Sequence, residues 1–300
     1  MSSTHSAAET DQTPQAPNDA TAQLAALRLE LDRLDDAIHD LLMQRADVVV
    51  RVAALGAKGR VAFRPGREAE IIRRLLRRHA GPLPRRLLSR LWRELFAATT
   101  SMQGPYVITV CETGAGNEFV QCAREHFGAL TPLRVHHSPA QAIAEVSAGS
   151  ATAAVLPMPA DEEVPATAWW IALLHRDEPR IHVVARLPFW APRSEGAPQV
   201  QALVVAAVAP DPSAQDRSLV GLELPLDMSR ARLSAGLAAA GFTQSAAILR
   251  RDAGAQMAHA LVEVDGYVAD GDGRLAAIPD VLRPPVVLGA YAVPLDGDNA

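Results

Sequence analysis

The sequence predicts a multidomain chain: an all-α module of three helices, then an α/β module, then a small α+β module. Three observations carry this. Apolar residues near the N-terminus repeat as a heptad over more than thirty residues. After Gln103-Gly104-Pro105 the composition changes to short apolar runs that alternate with helical patterns, and APRSEGAPQ at 191–199 has the make-up of a linker. With 300 residues, 49% of them apolar, there is material for two or three cores.

The heptad runs through Leu24, Leu31, Ile38 and Val52 at one position and Leu27, Leu34, Leu41, Val48 and Leu55 at the other; Arg45 occupies the place between Ile38 and Val52. A helix this long needs a partner for its seam, most economically the same helix of a second copy, so a homodimer is expected. Gly56 and Gly59 end the helix, and Pro65 opens a second one carrying Glu68, Ile71, Ile72, Leu75 and Leu76. AGPLP breaks that helix, and Leu87, Leu88, Leu91, Leu95 and Phe96 mark a third. From residue 106 onward YVITV, LRVHH, ATAAVLPM and RIHVVARL read as strands separated by the helices EFVQCAREHF and SPAQAIAEVSAG, the alternation of a largely parallel sheet. Beyond the linker, VQALVVAAVA, SAAILRRD, AHALVEVDGYV and VVLGAYAVP, with a helix around ARLSAGLAAAG, suggest an antiparallel α+β sandwich. The expected divisions are a disordered tail at 1–20, a helical module at 21–104, an α/β module at 105–190, the linker at 191–199 and an α+β module at 200–300.

Bulk properties narrow the function. A formal charge of -5 gives no global reason to expect nucleic acid. The arginine-rich run at 64–93 reads as solvated faces of amphipathic helices, given its leucine spacing. Cys111 and Cys122 are too few and too unpatterned for a disulfide scaffold or a zinc site, which fits a reducing cytoplasm. No signal-like start and no membrane-spanning run is seen, so a soluble cytoplasmic protein without metal, cofactor or membrane partner is expected.

Arg45 poses the chemical question. A guanidinium in an apolar seam is costly to desolvate unless Asp47 pairs with it, it snorkels to solvent, or a bound dianion meets it together with other arginines.

ALRLELDRLDDAIHDLLMQR, the helix break, RPGREAEII and the third helix ending in Gln103 together resemble the all-helical chorismate mutase family, in the arrangement that heads bifunctional chorismate mutase-prephenate dehydratase proteins. The similarity covers roughly residues 22–103. It implies an intertwined dimer of three-helix chains whose two sites draw on both subunits, and a rearrangement of chorismate to prephenate without cofactor. Carried over residue by residue, Arg28 and Arg45 grip the two substrate carboxylates from opposite subunits. Arg67 helps hold the substrate, Glu68 accepts a hydrogen bond from the ring hydroxyl, and Gln103 donates to the ether oxygen. The family's second donor, a lysine late in the long helix, falls here on Gly56 or Leu55. The family's usual acidic residue is replaced near Arg64. Lys58 and Arg64 are the candidate substitutes. Loss of a charged donor costs about 3–4 kcal/mol in such a reaction.

Residues 105–190 resemble a prephenate dehydratase region more faintly, through YVITVCETGAGNEFVQCAREHFG and AVLPMPADEE. The family's threonine-arginine-phenylalanine element appears as Pro179-Arg180-Ile181, without the hydroxyl. Some twenty residues separate LPM from PRI, too few for the second lobe, so dehydratase activity is not expected. ETGAG reads as a tight turn, and His136, His137 and His182 as ordinary histidines. The C-terminal module resembles a small regulatory domain, which implies an aromatic amino-acid effector such as phenylalanine. Two functional expectations result: a chorismate mutase, or an impaired homologue that binds chorismate or an aromatic amino acid and regulates a pathway enzyme.

Overall fold

The computed structural model describes residues 17–55, 62–165, 167–191, 193 and 195–297. It divides into two compact units, residues 1–56 and 57–300. Gly56, Lys58 and Gly59, and the expected tail up to residue 16, lie outside the described residues.

The first unit is one helix, α1 (Pro17–Leu55), of 39 residues, about 58 Å long at the usual rise. It begins inside the expected tail because Pro17 is pre-set for a first turn and Asp19 complements the dipole there. The eight heptad residues from Leu24 to Val52 are each 46–63% exposed in the single chain. An apolar stripe of this length left in water is unfavourable, at roughly 25 cal/mol per Å².

Two further helices, α2 (Pro65–Arg78) and α3 (Arg85–Ser101), open the second unit, so the described part of the first hundred residues is all-helical. They pack on each other and on residues from the C-terminal half: Ala69, Ile72 and Leu76 of α2 and Phe96 of α3 share a cluster with Phe189, Ala292 and Leu295. Arg73, buried on α2, donates to Ser213 O (3.0 Å) and Oγ (2.9 Å), Gln215 O (3.1 Å) and Val293 O (2.6 Å). Gly66 is the glycine of RPGRE because a Cβ there would lie 2.2 Å from the Asp211 carbonyl oxygen.

The rest is mixed α/β. In chain order come β1 (Ile108–Cys111), α4 (Glu118–Phe127), β2 (Leu133–His136), α5 (Pro139–Ser147), β3 (Ala153–Pro157), β4 (His182–Leu187), β5 (Trp190–Ala191), β6 (Ala202–Ala206), β7 (Asp216–Leu224), α6 (Arg230–Ala239), β8 (Gln244–Arg250), β9 (Ala258–Asp265), β10 (Val286–Ala292) and β11 (Leu295–Asp296). Nine strands form one sheet in the order β2-β1-β3-β6-β4-β10-β7-β9-β8; β5 and β11 pair separately. α4 and α5 are the crossovers of parallel β1/β2 and β1/β3. Contrary to the expected largely parallel arrangement, β4 does not join these strands directly. β6 lies antiparallel between β3 and β4, and β4 pairs parallel with β10.

Strands on both sides of residues 191–199 therefore belong to one sheet. The expected division at the linker is not a division of the sheet: the chain after it returns through β6, because VQALVVAAVA is apolar on both faces and is stable only as a central strand. The clusters follow the layers. α4 covers one face through Phe119, Ala123 and Phe127, and α5 covers the other through Ala142 and Val146. α6 covers β7–β9 through Leu233 and Leu237.

Gly289, from the VVLGAYAVP run, pairs with Val183 and has φ +146°; a Cβ would meet the Val183 carbonyl oxygen at 2.1 Å. Gly289→Ala is expected to destabilise the second unit by on the order of 3 kcal/mol. A urea midpoint unchanged from the parent would contradict this close approach.

Candidate active site

On α1, Arg28 is exposed and Arg45 is partly buried; burial lowers the Arg45 pKa below the ordinary guanidinium value. The two are seventeen positions apart on an unbroken helix, about 26 Å along its axis. Two arginines of one copy so separated cannot close on one small molecule.

On α2 the adjacent pair Arg67-Glu68 diverges, as neighbours on a helix must. Arg67 faces solvent and donates to Glu70 Oε2 at 2.9 Å, one turn on. Glu68 turns inward with Ala69 and Ile72 and accepts from Arg93 Nη1 at 2.7 Å; both side chains are almost fully buried. Burial raises the Glu68 pKa, and the Arg93 charge opposes that rise. Arg93 also lies over the Phe189 ring, 4.8 Å from its centroid. The sequence did not single out Arg93. It stands in a run of arginines of equal charge, and its one available signal is the four-residue register with Ser89 and Ala97, both buried.

Arg64, just before α2, makes a two-point contact with Asp211: Nε to Oδ2 at 3.0 Å and Nη2 to Oδ1 at 2.8 Å. That hydrogen bond raises the Arg64 pKa. Gln103, just past α3, is exposed, and its Nε2 donates back to Thr99 O at 3.0 Å. Lys58 is outside the described residues. In the second unit, then, Arg67 and Gln103 reach solvent, whereas Glu68 and Arg64 are held by Arg93 and Asp211.

The dehydratase-like stretch is similarly occupied. Arg180 binds Asp270 through both nitrogens of its fork and donates to Val287 O at 2.8 Å. At the ETGAG loop, Glu112 is buried, and its Oε2 accepts from Phe119 N (3.1 Å) and Val120 N (3.3 Å). The first turn of α4 thus holds an internal carboxylate where an anion would otherwise sit. His136 meets Glu145 Oε1 at 3.0 Å, His137 contacts Glu112 O at 3.1 Å, and burial lowers the His182 pKa. No described helix is long and apolar enough to cross a membrane.

Residues 27–104 match the family described as chorismate mutase type II. Among curated proteins, the chain is 31% identical over 143 residues to a bifunctional chorismate mutase/prephenate dehydratase of Stutzerimonas stutzeri and 32% identical over 143 residues to that of Pseudomonas aeruginosa. Each alignment covers 45% of this chain and 39% of the relative. The chain thus spans about two fifths of the length of these relatives. Both alignments take in more of the chain than residues 1–104 could supply, so they run on into the α/β region. Among solved structures, the prephenate dehydratase of Streptococcus mutans has a TM-score of 0.46 at 15% identity, covering 63% of this chain and 99% of that one. The chain thus carries an N-terminal domain of chorismate mutase type II, residues 27–104, fused to a divergent prephenate-dehydratase-like region, as in the bifunctional proteins it resembles.

Proposed function

We propose that the helical module, residues 21–104, is a chorismate mutase that rearranges chorismate to prephenate as a homodimer. The observation that carries this is Arg45: a partly buried cation in an exposed apolar stripe, about 26 Å along α1 from Arg28. Packing the stripes of two helices covers the apolar residues, and Arg28 of one copy can then meet the substrate that Arg45 of the other copy holds. In this reading the two arginines bind the carboxylates bidentately, Arg67 adds a third positive charge, and Gln103 donates to the ether oxygen as negative charge develops there. The reaction is unimolecular, so compact holding of the diaxial substrate and this donation are what the site must supply.

Glu68 reaches the ring hydroxyl only if its pairing with Arg93 yields. Arg64 can stand in for the family's lysine only by leaving Asp211; Lys58 is the other candidate. These commitments favour a second reading, an impaired homologue that binds chorismate or an aromatic amino acid and regulates a pathway enzyme. Dehydratase activity is not part of either reading, because Pro179 stands where the hydroxyl is needed and Arg180 is engaged by Asp270.

Purified protein mixed with chorismate separates the two. The mutase reading expects prephenate to form well above the uncatalysed rate, from a species that sediments as a dimer. Binding of chorismate or phenylalanine without turnover would instead establish the regulatory reading.

A further inference from the structure

Without Arg67 or Gln103, α3, α4, residues 188–190 and Arg193 line a cavity of about 370 Å³, within the range of small-molecule sites. The spacing along α3 builds one wall. Arg86, Ser89, Arg90 and Arg93 recur at intervals of three and four residues and share a face, while Leu88, Trp92 and Phe96 hold another face against α2. α4 contributes Glu125 and His126, and the last wall is Phe189, Trp190 and Arg193.

Charge in this cavity is not balanced. Arg93 is answered by Glu68 at 2.7 Å, and Arg193 by Glu125 at 2.5 Å and by Pro198 O at 3.0 Å. Arg86 and Arg90 have no carboxylate partner among the described residues, and as like charges one turn apart they repel each other. Two buried nitrogens on the opposite walls also lack a hydrogen-bond partner among the described residues: Nη2 of Arg193, whose side chain is 7% exposed, and Nε2 of His126, which is 7% exposed. Buried donors in native proteins are almost always satisfied. The burial of His126 and the adjacent Arg93 charge hold its pKa well below the usual histidine value, so its ring is neutral and adds no charge of its own. Phe189 and Trp190 supply an apolar surface beside these donors.

We propose that this cavity binds a small organic anion, a carboxylate or phosphate on a ring-sized apolar body. Arg86 and Arg90 grip the anionic group, Arg193 Nη2 donates to it, and Phe189 and Trp190 flank the body. An anion between Arg86 and Arg90 turns their repulsion into a shared, charge-assisted contact. None of the three gripping arginines is assigned to the chorismate site, so the proposal stands whether or not chorismate is turned over.

The test is calorimetric titration of the full chain with benzoate, phenyl phosphate and inorganic phosphate, each alone. Saturable binding of a ring-bearing probe is expected, with inorganic phosphate weaker for want of the apolar contacts. The tighter of benzoate and phenyl phosphate identifies the anionic group. Arg86→Gln/Arg90→Gln should weaken binding by at least about tenfold, the loss of one or more charge-assisted hydrogen bonds; Arg193→Gln should do likewise. Among the described residues Arg86 and Arg90 make no side-chain hydrogen bond or ion pair, so the variant is expected to stay folded, and a circular-dichroism melt checks this. The proposal is overturned if neither ring-bearing probe saturates at millimolar concentration, or if the Arg86/Arg90 variant binds like the parent.

Discussion

Arg45→Ala is expected to lower kcat/KM for chorismate by about 10²- to 10³-fold, since truncating one side of a desolvated charge pair costs roughly 3–4 kcal/mol. The proposed dimer should survive, because alanine keeps an apolar stripe and a good helix former at that position. The stronger form of this prediction uses two variants at once. If each site takes Arg28 from one copy and Arg45 from the other, Arg28→Ala and Arg45→Ala chains are both inactive alone. Mixed and re-equilibrated, half of the dimers contain one of each, and each of those has one intact site. About a quarter of the parent activity should return. Two inactive variants that stay inactive on mixing, although mixed dimers form, would sink the shared site.

The second large effect concerns stability. Arg93→Ala leaves Glu68 buried without its counter-charge and is expected to cost about 3–5 kcal/mol; replacing both residues by methionine should recover most of that, because the desolvation cost disappears with the charges. Denaturant midpoints of the parent, the single variant and the double variant measure the coupling. A single variant within about 0.5 kcal/mol of the parent would mean that solvent reaches Glu68 freely. The same variants bear on function. If Glu68 is needed at the substrate, the double variant folds well and loses turnover; if its role is only to neutralise Arg93, the double variant keeps it.

The sequence made the helices legible because their signals are local. The heptad from Leu24, the proline at 65 and the glycine-proline breaks each act within a few residues, and the helical boundaries near 65, 85 and 101 follow from them. Most strands were legible for the same reason, as short apolar runs. DRSLVGLEL is the exception: its charged residues hide a strand that is almost wholly buried, with Asp216 and Glu223 both inside the fold. Strand order was not legible. Nothing local in VQALVVAAVA says that it pairs with β3 on one side and β4 on the other, since that is decided by partners about fifty residues upstream and some twenty upstream. For the site, the sequence could mark Arg28, Arg45, Arg67, Glu68 and Gln103 by resemblance and the odd charge of Arg45 by physics. It could not tell that Glu68 turns toward Arg93 or that Arg64 meets Asp211, because the first pairing depends on how α2 packs on α3 and the second on how the start of α2 lies against the α/β region.

The place of β4 in the sheet has a consequence for how the chain is made. Its neighbours are β6, close behind it in the chain, and β10, at residues 286–292, near the far end. At roughly 5–20 residues per second, a ribosome releases β10 about 5–20 s after β4, and through that interval β4 presents an open apolar edge. The order of synthesis and the order of assembly therefore differ. The α/β half can be finished only after the last long strand has emerged, and a nascent chain stalled before residue 286 is the form most exposed to aggregation and to chaperone capture.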